Sequence, residues 1–514
     1  MINSNPETVS TDFDASSRLY FEPLDPESVL SVIEAETEAG EDTLPAVVAY
    51  GGQTPLNLAA SLAATGVPLL GSDLETIDQA EERTRFAALL DRLGIPQPDG
   101  GMAHSVEEAL TLADRIGYPV IVRPSFVIGG LAIDFCYSPD DLVRQLAAAT
   151  VVDPDRPVRI DRYLEGIEVD VDAVSDGERV LIPGLLEHVE RAGVHSGDSV
   201  GMFPPQTVGE GDRELIVATM ERVVLELGAR GLCNAQFIVR EDGVYLIEVN
   251  PRASRTVPFM SKVTGVPMVE LAIRISLGER LADLGWPNGL LESPPFVAVK
   301  APAFSTAKLR GVDPSVGPGM QSTGEVIGIS ADPRVALAKA LTGAALVPPG
   351  PATPDDAPLA LLSIADRDKD SLPRLASALR AAGYRLAATA GTRADLGSAG
   401  FDARPVAKLG AEPNTAAGEV AILDLIASGE VRLVVNTPTP RSGAVRDAAE
   451  IRLAATGEGI LCLTAIETAV AAAEAMDPAV TAHLADVRSL SDWVPDPGRP
   501  RQASADSLLV AAAR

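Results

Sequence analysis

Apolar residues along this chain follow two periods in turn: runs of about four to eight that suit buried strands, and longer stretches repeating every three to four positions that suit helices. A helix is predicted over 26–38, then the apolar run 46–50 ends in GGQTP and reads as strand, tight turn and helix. A second strand at 67–70 closes on Gly71, and the acidic start and Leu/Ala spacing of 72–93 predict one or two helices. Residues 96–101 resemble a linker. From 103 to 303 the pattern is that of an α+β body: strand 120–123, a glycine turn at Gly129 and Gly130, strand 131–137, helix 140–149, then strands separated by acidic turns. IEVDVDAV from Ile167 and VYLIEVN from Val244 alternate or run apolar, so the polar residues on them must point somewhere specific. A helix at 266–276 and a crossing at Pro294 and Pro295 lead into another strand.

The sequence VPPGPATPDDAP at 347–358 carries five prolines and a glycine, too many breakers for an element interior, and marks a boundary. Beyond it, strand 359–364, helix 372–382, strand 386–388 with Gly391, strand 431–436 and an Ala-rich helix at 465–475 alternate as a parallel α/β domain does. The tail reads as loose.

Composition sharpens this picture. With 514 residues, and roughly 150 per domain, about three to four domains are expected. Hydrophobic residues make up 46% but aromatics only 4%, so the cores are built from Ala, Val, Leu and Ile, which favours α/β layers. A formal charge of −30 argues against a nucleic-acid surface, because phosphate backbones require clustered Lys and Arg. Cys136, Cys233 and Cys462 lie far apart with no CxxC spacing, so neither a disulfide framework nor a zinc site is suggested. No leader pattern and no run of about 18 apolar residues is visible, which leads to the expectation of a cytoplasmic protein with no membrane partner.

Candidate chemistry centres on LIEVNPRASRT. Glu248 and Asn250, two apart on one strand, share a face, and Gln236 on CNAQFIV stands opposite if the turn at 241–243 closes a hairpin. Three oxygen donors then meet, a set that suits Mg²⁺ beside nucleotide phosphates. Arg252 and Arg255 follow at once and can neutralise a phosphoryl or carboxylate group. Taken singly, Glu248 is equally an acidic residue at a strand edge. EHVERAGVHSGDS sets His188 and His195 in a glycine-rich loop whose N–H groups can approach an anion, with His195 donating to it. Gly129 and Gly130 suit a lid over phosphates, and Glu168 a ribose contact or a solvent-facing carboxylate.

Taken in order, YGGQTPLNLA, RPSFVIGG, EVDVDAV, EHVERAGVHSGDS, LIEVNPRASRTVPF and GVDPSVGPGMQSTGEV resemble the second synthetase unit of the carbamoyl phosphate synthetase large subunit, from residue 1 to about 487. The resemblance implies an α/β and α+β multidomain fold: a partial pre-ATP-grasp αβ domain (1–80), an ATP-grasp domain (81–346), a linker (347–358), a methylglyoxal-synthase-like parallel α/β regulatory domain (359–487) and a loose tail (488–514). It implies a ligase that phosphorylates carbamate with ATP in arginine and pyrimidine biosynthesis, using Mg²⁺ or Mn²⁺, with an amino-terminal half and a glutaminase small subunit as partner polypeptides. By resemblance, Gln236, Glu248 and Asn250 hold the metal. Arg83, Arg123, Glu168, Gly193, Val194, His195, Ser196, Gln236 and Glu248 bind ATP, and Arg252, Arg255 and His195 stabilise the transferring group. Lys369, Thr389, Thr392, Lys408 and Asn436 fall where relatives bind an effector, and the TAGT turn could hold a phosphate through its N–H groups.

The sequence also departs from the family. Residue 1 falls near the family's second strand, so the first βα unit is expected to lie outside this sequence, through a mis-set start, a split gene or a decayed copy. Leu131 replaces an arginine on the ATP phosphates, Arg162 a histidine, Gly319 and Gln321 a Glu and an Arg, and Ala301 a glutamate that helps bind ornithine in some relatives. Ala390 and Pro438 differ from the usual effector motifs. An ATP-grasp ligase acting on a different carboxylate, or a non-catalytic nucleotide-binding remnant, therefore stays open beside the carbamate reading.

Overall fold

The computed structural model describes residues 1–37, 43–124, 134–148, 157–305, 312–350, 357–437 and 445–494. Gly129, Gly130, Leu131 and Pro438, singled out above, lie outside the described residues. So does the chain beyond 494.

The first unit is mainly helical. Pro26–Glu36 starts at Asp25, whose carboxylate accepts from Ser28 N, and Leu74–Glu81 and Arg83–Leu93 are capped in the same way by Asp73 and Glu82. Val29, Leu56, Leu62, Val67 and Ile77 form its core. The strands expected at 46–50 and 67–70 reduce to a single parallel bridge, Ala46↔Leu69. A lone parallel pair without flanking strands has too few ladder bonds and too little buried face to extend.

An antiparallel four-stranded sheet follows, in the order Gly100–Ala103, Val158–Arg162, Val120–Pro124, Asp134–Cys136. Helices Val106–Ile116 and Pro139–Ala148 accompany it, and Ala109, Ala113, Val122, Leu142 and Ile160 fill its core. Ser105 caps the first of these helices by accepting from Glu108 N, while the Glu108 carboxylate accepts from His104 N.

The centre of the molecule is a nine-stranded sheet whose main path runs Gly243–Asn250, Arg230–Arg240, Ile167–Asp176, Leu185–Arg191, Gly201–Phe203, Val297–Ala303, Gly324–Ser330. Neighbours on this path pair antiparallel. Val169, Val171, Phe237 and Val249 pack one face against the 18-residue helix Glu210–Leu227. That helix ends at Gly228 in the left-handed conformation, φ 69°, whose N–H caps the Leu225 carbonyl.

A six-stranded sheet, entirely parallel, completes the fold in the order Val420–Ala421, Arg404–Ala407, Arg385–Thr389, Leu359–Ser363, Val431–Asn436, Leu461–Leu463. Its inner face shares one apolar cluster with the central sheet, in which Val299, Ala301, Ala336 and Leu341 join Leu362, Leu433, Ile466 and Ala472. The chain expected to be loose from 488 is packed as far as Val494: Ser489 and Asp492 form a capping box, Trp493 meets Phe296 edge-on at 5.7 Å, and Arg488 lies over the Trp493 ring. A partly buried indole and a buried valine packed against the central unit hold this segment down.

Gly328 marks the closest approach of the helix Pro333–Gly343 to the central sheet, since a Cβ there would stand 2.2 Å from Ala336 O and 2.5 Å from Ala340 N. Backbone cannot yield as a side chain can. Gly328→Ala should destabilise the chain by about 2–3 kcal/mol, read as a lowered urea midpoint with an unchanged slope.

Candidate active site

A cavity of about 860 Å³ lies between the small antiparallel sheet and the central one. Arg83, Arg123, Glu168, Gly193, Val194, His195, Ser196, Gln236, Glu248, Asn250, Arg252 and Arg255 all line it, so the candidate nucleotide, metal and catalytic residues meet in one place.

The hairpin Arg230–Arg240/Gly243–Asn250 decides this. From the turn, Val244 opposes Val239 and Leu246 opposes Phe237, all facing the apolar core. A bulge at Ile247 then shifts the register, so that Glu248 opposes Gln236 and Asn250 opposes Asn234. Had Ile247 been paired in regular register, Glu248 would have opposed Ala235 and entered the core. With it, Glu248 and Asn250 face the cavity, and Asn250 Nδ2 donates to Glu248 Oε1 at 3.1 Å.

Arg83, at the first position of its helix, lies 3.7 Å from Glu248. Burial pushes the Glu248 carboxyl up, but Arg83, Arg123, the Asn250 amide and Arg252 together hold it below the usual carboxylate range. Arg252 Nη2 reaches Asn250 Oδ1 at 3.4 Å, and Arg123 Nε and Arg252 Nε have no hydrogen-bond partner among the described residues. Arg255 is partly engaged elsewhere, donating to Ser322 O at 3.1 Å and pairing with Glu325 at 3.4 Å.

The loop after Leu185–Arg191 presents Gly193 to Ser196. Gly193 sits at φ 105°, and a Cβ there would come within 2.8 Å of the Phe135 ring. His195 Nδ1 accepts from Gly197 N at 3.0 Å, which in the neutral ring leaves the proton on Nε2 as a donor. Burial keeps this imidazole below its ordinary pKa. Lys300, fully buried in the strand VAVKAPA, donates to Ser196 O at 2.6 Å and fixes the loop from beneath.

Glu168, Asp170 and Asp172 share one face of Ile167–Asp176, and all three are buried. Burial pushes the Glu168 carboxyl up to about 7, with His188 nearby at 3.7 Å. Asp172 is pushed up to about 6 by the same cause, and accepts from Ser254 and Thr256 on either side of Arg255. His188 bonds Asp170 at 3.2 Å; burial opposes its charge, but Asp170 and Glu168 hold it above the ordinary value. Asp172, Lys300 and the apolar wall of Ile121, Phe135, Tyr163, Ile238 and Ile247 were absent from the residues singled out by sequence. Lys300, the lone charge in an apolar strand, and Ile238, two positions from Gln236, offered a signal.

The candidate effector residues lie elsewhere. Thr389, Lys408 and Asn436 stand at or just beyond the carboxyl ends of parallel strands. Thr392 Oγ1 accepts from Ile364 N, and Lys369 pairs with Asp366 and Asp395, each at 2.7 Å.

Comparison with known proteins accounts for this architecture. The carbamoyl-phosphate synthase L chain ATP-binding domain family matches residues 82–284, its preATP-grasp domain residues 1–79, and the MGS-like domain residues 371–464. The chain is 50% identical over 478 residues to the carbamoyl phosphate synthase large chain of Thermomicrobium roseum, covering 93% of this chain and 43% of that one. It thus spans less than half the length of that relative. The biotin carboxylase domain of Hydrogenobacter thermophilus 2-oxoglutarate carboxylase, solved with MgADP, ADP and bicarbonate, shares the fold at TM-score 0.50 and 22% identity, over 66% of this chain and 84% of that one. Campylobacter jejuni biotin carboxylase aligns at TM-score 0.49 and 18% identity, over 62% and 78% of the two chains. With three family models matched in chain order and half the residues identical across nearly the whole sequence, the chain belongs to the carbamoyl phosphate synthase large-chain family and combines an ATP-grasp fold with an MGS-like parallel unit.

Proposed function

We propose that this chain transfers the γ-phosphoryl group of ATP to carbamate, as the carboxy-terminal half of a carbamoyl phosphate synthetase large subunit in the cytoplasm, working with an amino-terminal half and a glutaminase small subunit in arginine and pyrimidine biosynthesis. The observation that carries it is the bulged hairpin, which sets Glu248, Asn250 and Gln236 in the same cavity as the His195 loop and Arg83, Arg123, Arg252 and Arg255.

One carboxylate and two amide oxygens form a hard donor set that fits Mg²⁺ or Mn²⁺ sharing nucleotide phosphates. When bound there, the cation offsets charge on the β- and γ-phosphates. The carbamate oxygen attacks the γ-phosphorus, the bond to the β-phosphate oxygen breaks, and ADP leaves; no protein nucleophile is required. His195 Nε2–H and the backbone N–H groups of its loop serve the developing negative charge, and the arginines orient and neutralise both partners. Glu168 accepts from the ribose, and the wall of Phe135, Ile238 and Ile247 takes the base. In the parallel unit, Thr389, Thr392, Lys408 and Asn436 are assigned to an anionic effector, which must draw Lys369 away from Asp366 and Asp395.

A different carboxylate as acceptor is favoured by one feature, the altered GPGMQ motif, in which Gly319, on the cavity wall, and Gln321 stand where the family pattern has a Glu and an Arg. Running the reaction in reverse separates the two. Purified chain with Mg²⁺ and ADP should form ATP from carbamoyl phosphate and not from acetyl phosphate, and Glu248→Ala should lower that rate by about 100-fold or more. ATP from acetyl phosphate alone would assign another acceptor, and none from either would end the claim that this chain is catalytically self-sufficient.

The pH dependence follows from Glu168. Its carboxyl, pushed up to about 7, is protonated below that pH and gains its charge, hence its strength as a ribose acceptor, above it. Mg·ADP affinity measured by calorimetry should therefore rise from pH 6 to pH 8 in the parent and stay flat in Glu168→Gln.

A further inference from the structure

Arg452 belongs to the helix Val445–Gly457 of the parallel unit, yet its side chain turns toward the central one. It is 4% exposed. Nε and Nη2 donate to the two carboxylate oxygens of Asp313, each at 2.6 Å, and Nη1 donates to Asn436 Oδ1 at 3.1 Å. Such a two-pronged bond fixes both the distance and the plane of its partner.

Asp313 opens a segment that leads from this clamp to the cavity. Its Oδ1 also accepts from Ser315 N at 3.0 Å, and Val316 N donates to Thr464 Oγ1 of the parallel unit at 3.1 Å. One residue on, Gly317 O accepts from His195 N at 2.7 Å. Pro318, Gly319 and Met320 then form part of the cavity wall, and Gln321 N and Ser322 N donate to the Asp198 carboxylate at 2.8 Å each, three residues beyond His195. The segment is held at one end by the parallel unit and at the other by the loop that presents His195. Residues from Asp313 to Gly317 make no strand or helix of their own, so their course depends on these side-chain anchors.

We propose that Arg452 is a positioning residue for the nucleotide loop, acting through Asp313 and Gly317 O on the backbone of His195. Its location fits a control point. Asn436, which shares the guanidinium, ends the strand paired in register with Ser363, where the order of the parallel sheet reverses direction about its central strand. Whatever alters the hold of Arg452 on Asp313 therefore alters the geometry at His195, although the two sites belong to different units.

The proposal rests on the reading of the large cavity as a nucleotide site, so its test carries a second readout independent of nucleotide. Asp313→Ala, Asp313→Asn, Arg452→Lys and the double variant Asp313→Ala/Arg452→Lys are compared with the parent. Hydrogen exchange of the peptide covering 192–199 should quicken in each single variant, while the strand Arg230–Arg240 keeps its protection. Mg·ADP affinity should fall about fivefold in Asp313→Ala and Arg452→Lys, less in Asp313→Asn, and no further in the double variant, because both residues act through one contact. Asp313 is partly exposed on an irregular segment, so its variants report even if Arg452→Lys fails to fold. Unchanged exchange at 192–199 in folded Asp313→Ala, or losses that multiply in the double variant, would overturn the proposal. Absence of Mg·ADP binding by the parent itself would count against the nucleotide reading alone, and the exchange result would still decide this one.

Discussion

The chemistry of this molecule depends on a single extra residue in one hairpin. Side chains on a strand alternate faces, so a regular continuation past Leu246 would have carried Glu248 between Ala235 and the helix Glu210–Leu227, where an ionised carboxylate finds no partner. Ile247 absorbs the offset. It lets Val249 return to the core while Glu248 and Asn250 share the cavity with Gln236. The adjacent apolar residues Leu246 and Ile247 are thus the trace of a change of face, with Leu246 in the core and Ile247 on the cavity wall.

Once Glu248 is placed, charge has to be arranged around it. A chain of net charge −30 gathers Arg83, Arg123, Arg252 and Arg255 about one cavity from three local settings: a helix start, a strand of the small sheet, and, for the last two, the turn after the hairpin. The acids beneath do different work. Asp172 fixes Ser254 and Thr256, and with them the backbone that aims Arg255, while Asp170 and Glu168 enclose His188. Buried carboxylates in hydrogen-bonded positions are costly to leave unpaired, so this second layer resists displacement and holds the backbone on either side of Arg255.

The sequence made the parallel unit and the hairpin that brings Gln236 to Glu248 and Asn250 legible, because the one rests on local period and the other on a short turn, whereas the bulge that sets their register was not legible. Contacts between distant segments were not legible. Nothing near Asp313 announces Arg452, and nothing near Ser196 announces Lys300, since their hydrogen bonds span 139 and 104 residues. The runs at 46–50 and 67–70 look like strands by composition, yet a ladder needs neighbours as well as β-formers, and only one bridge forms. Residues 488–494 fall beyond the stretch that the family resemblance covers, yet Trp493 finds the edge of Phe296. Lys369 falls among the expected effector residues, and its ion pair with Asp395 comes only with the fold.

The way the two larger units join limits how one can influence the other. Ala301 is fully buried in the cluster that runs from the central sheet into the parallel one, so apolar packing is continuous at this position. Separating the units as rigid bodies would expose Val299, Leu341, Leu362 and Ile466 together, a large loss of buried surface for any ligand to offset. The polar ties at the margin, Arg191 to Asp368 and Glu467, Glu190 to Thr468, and Arg452 to Asp313, can be remade without that loss. The contacts that can change while the shared core stays closed are therefore these hydrogen bonds and ion pairs.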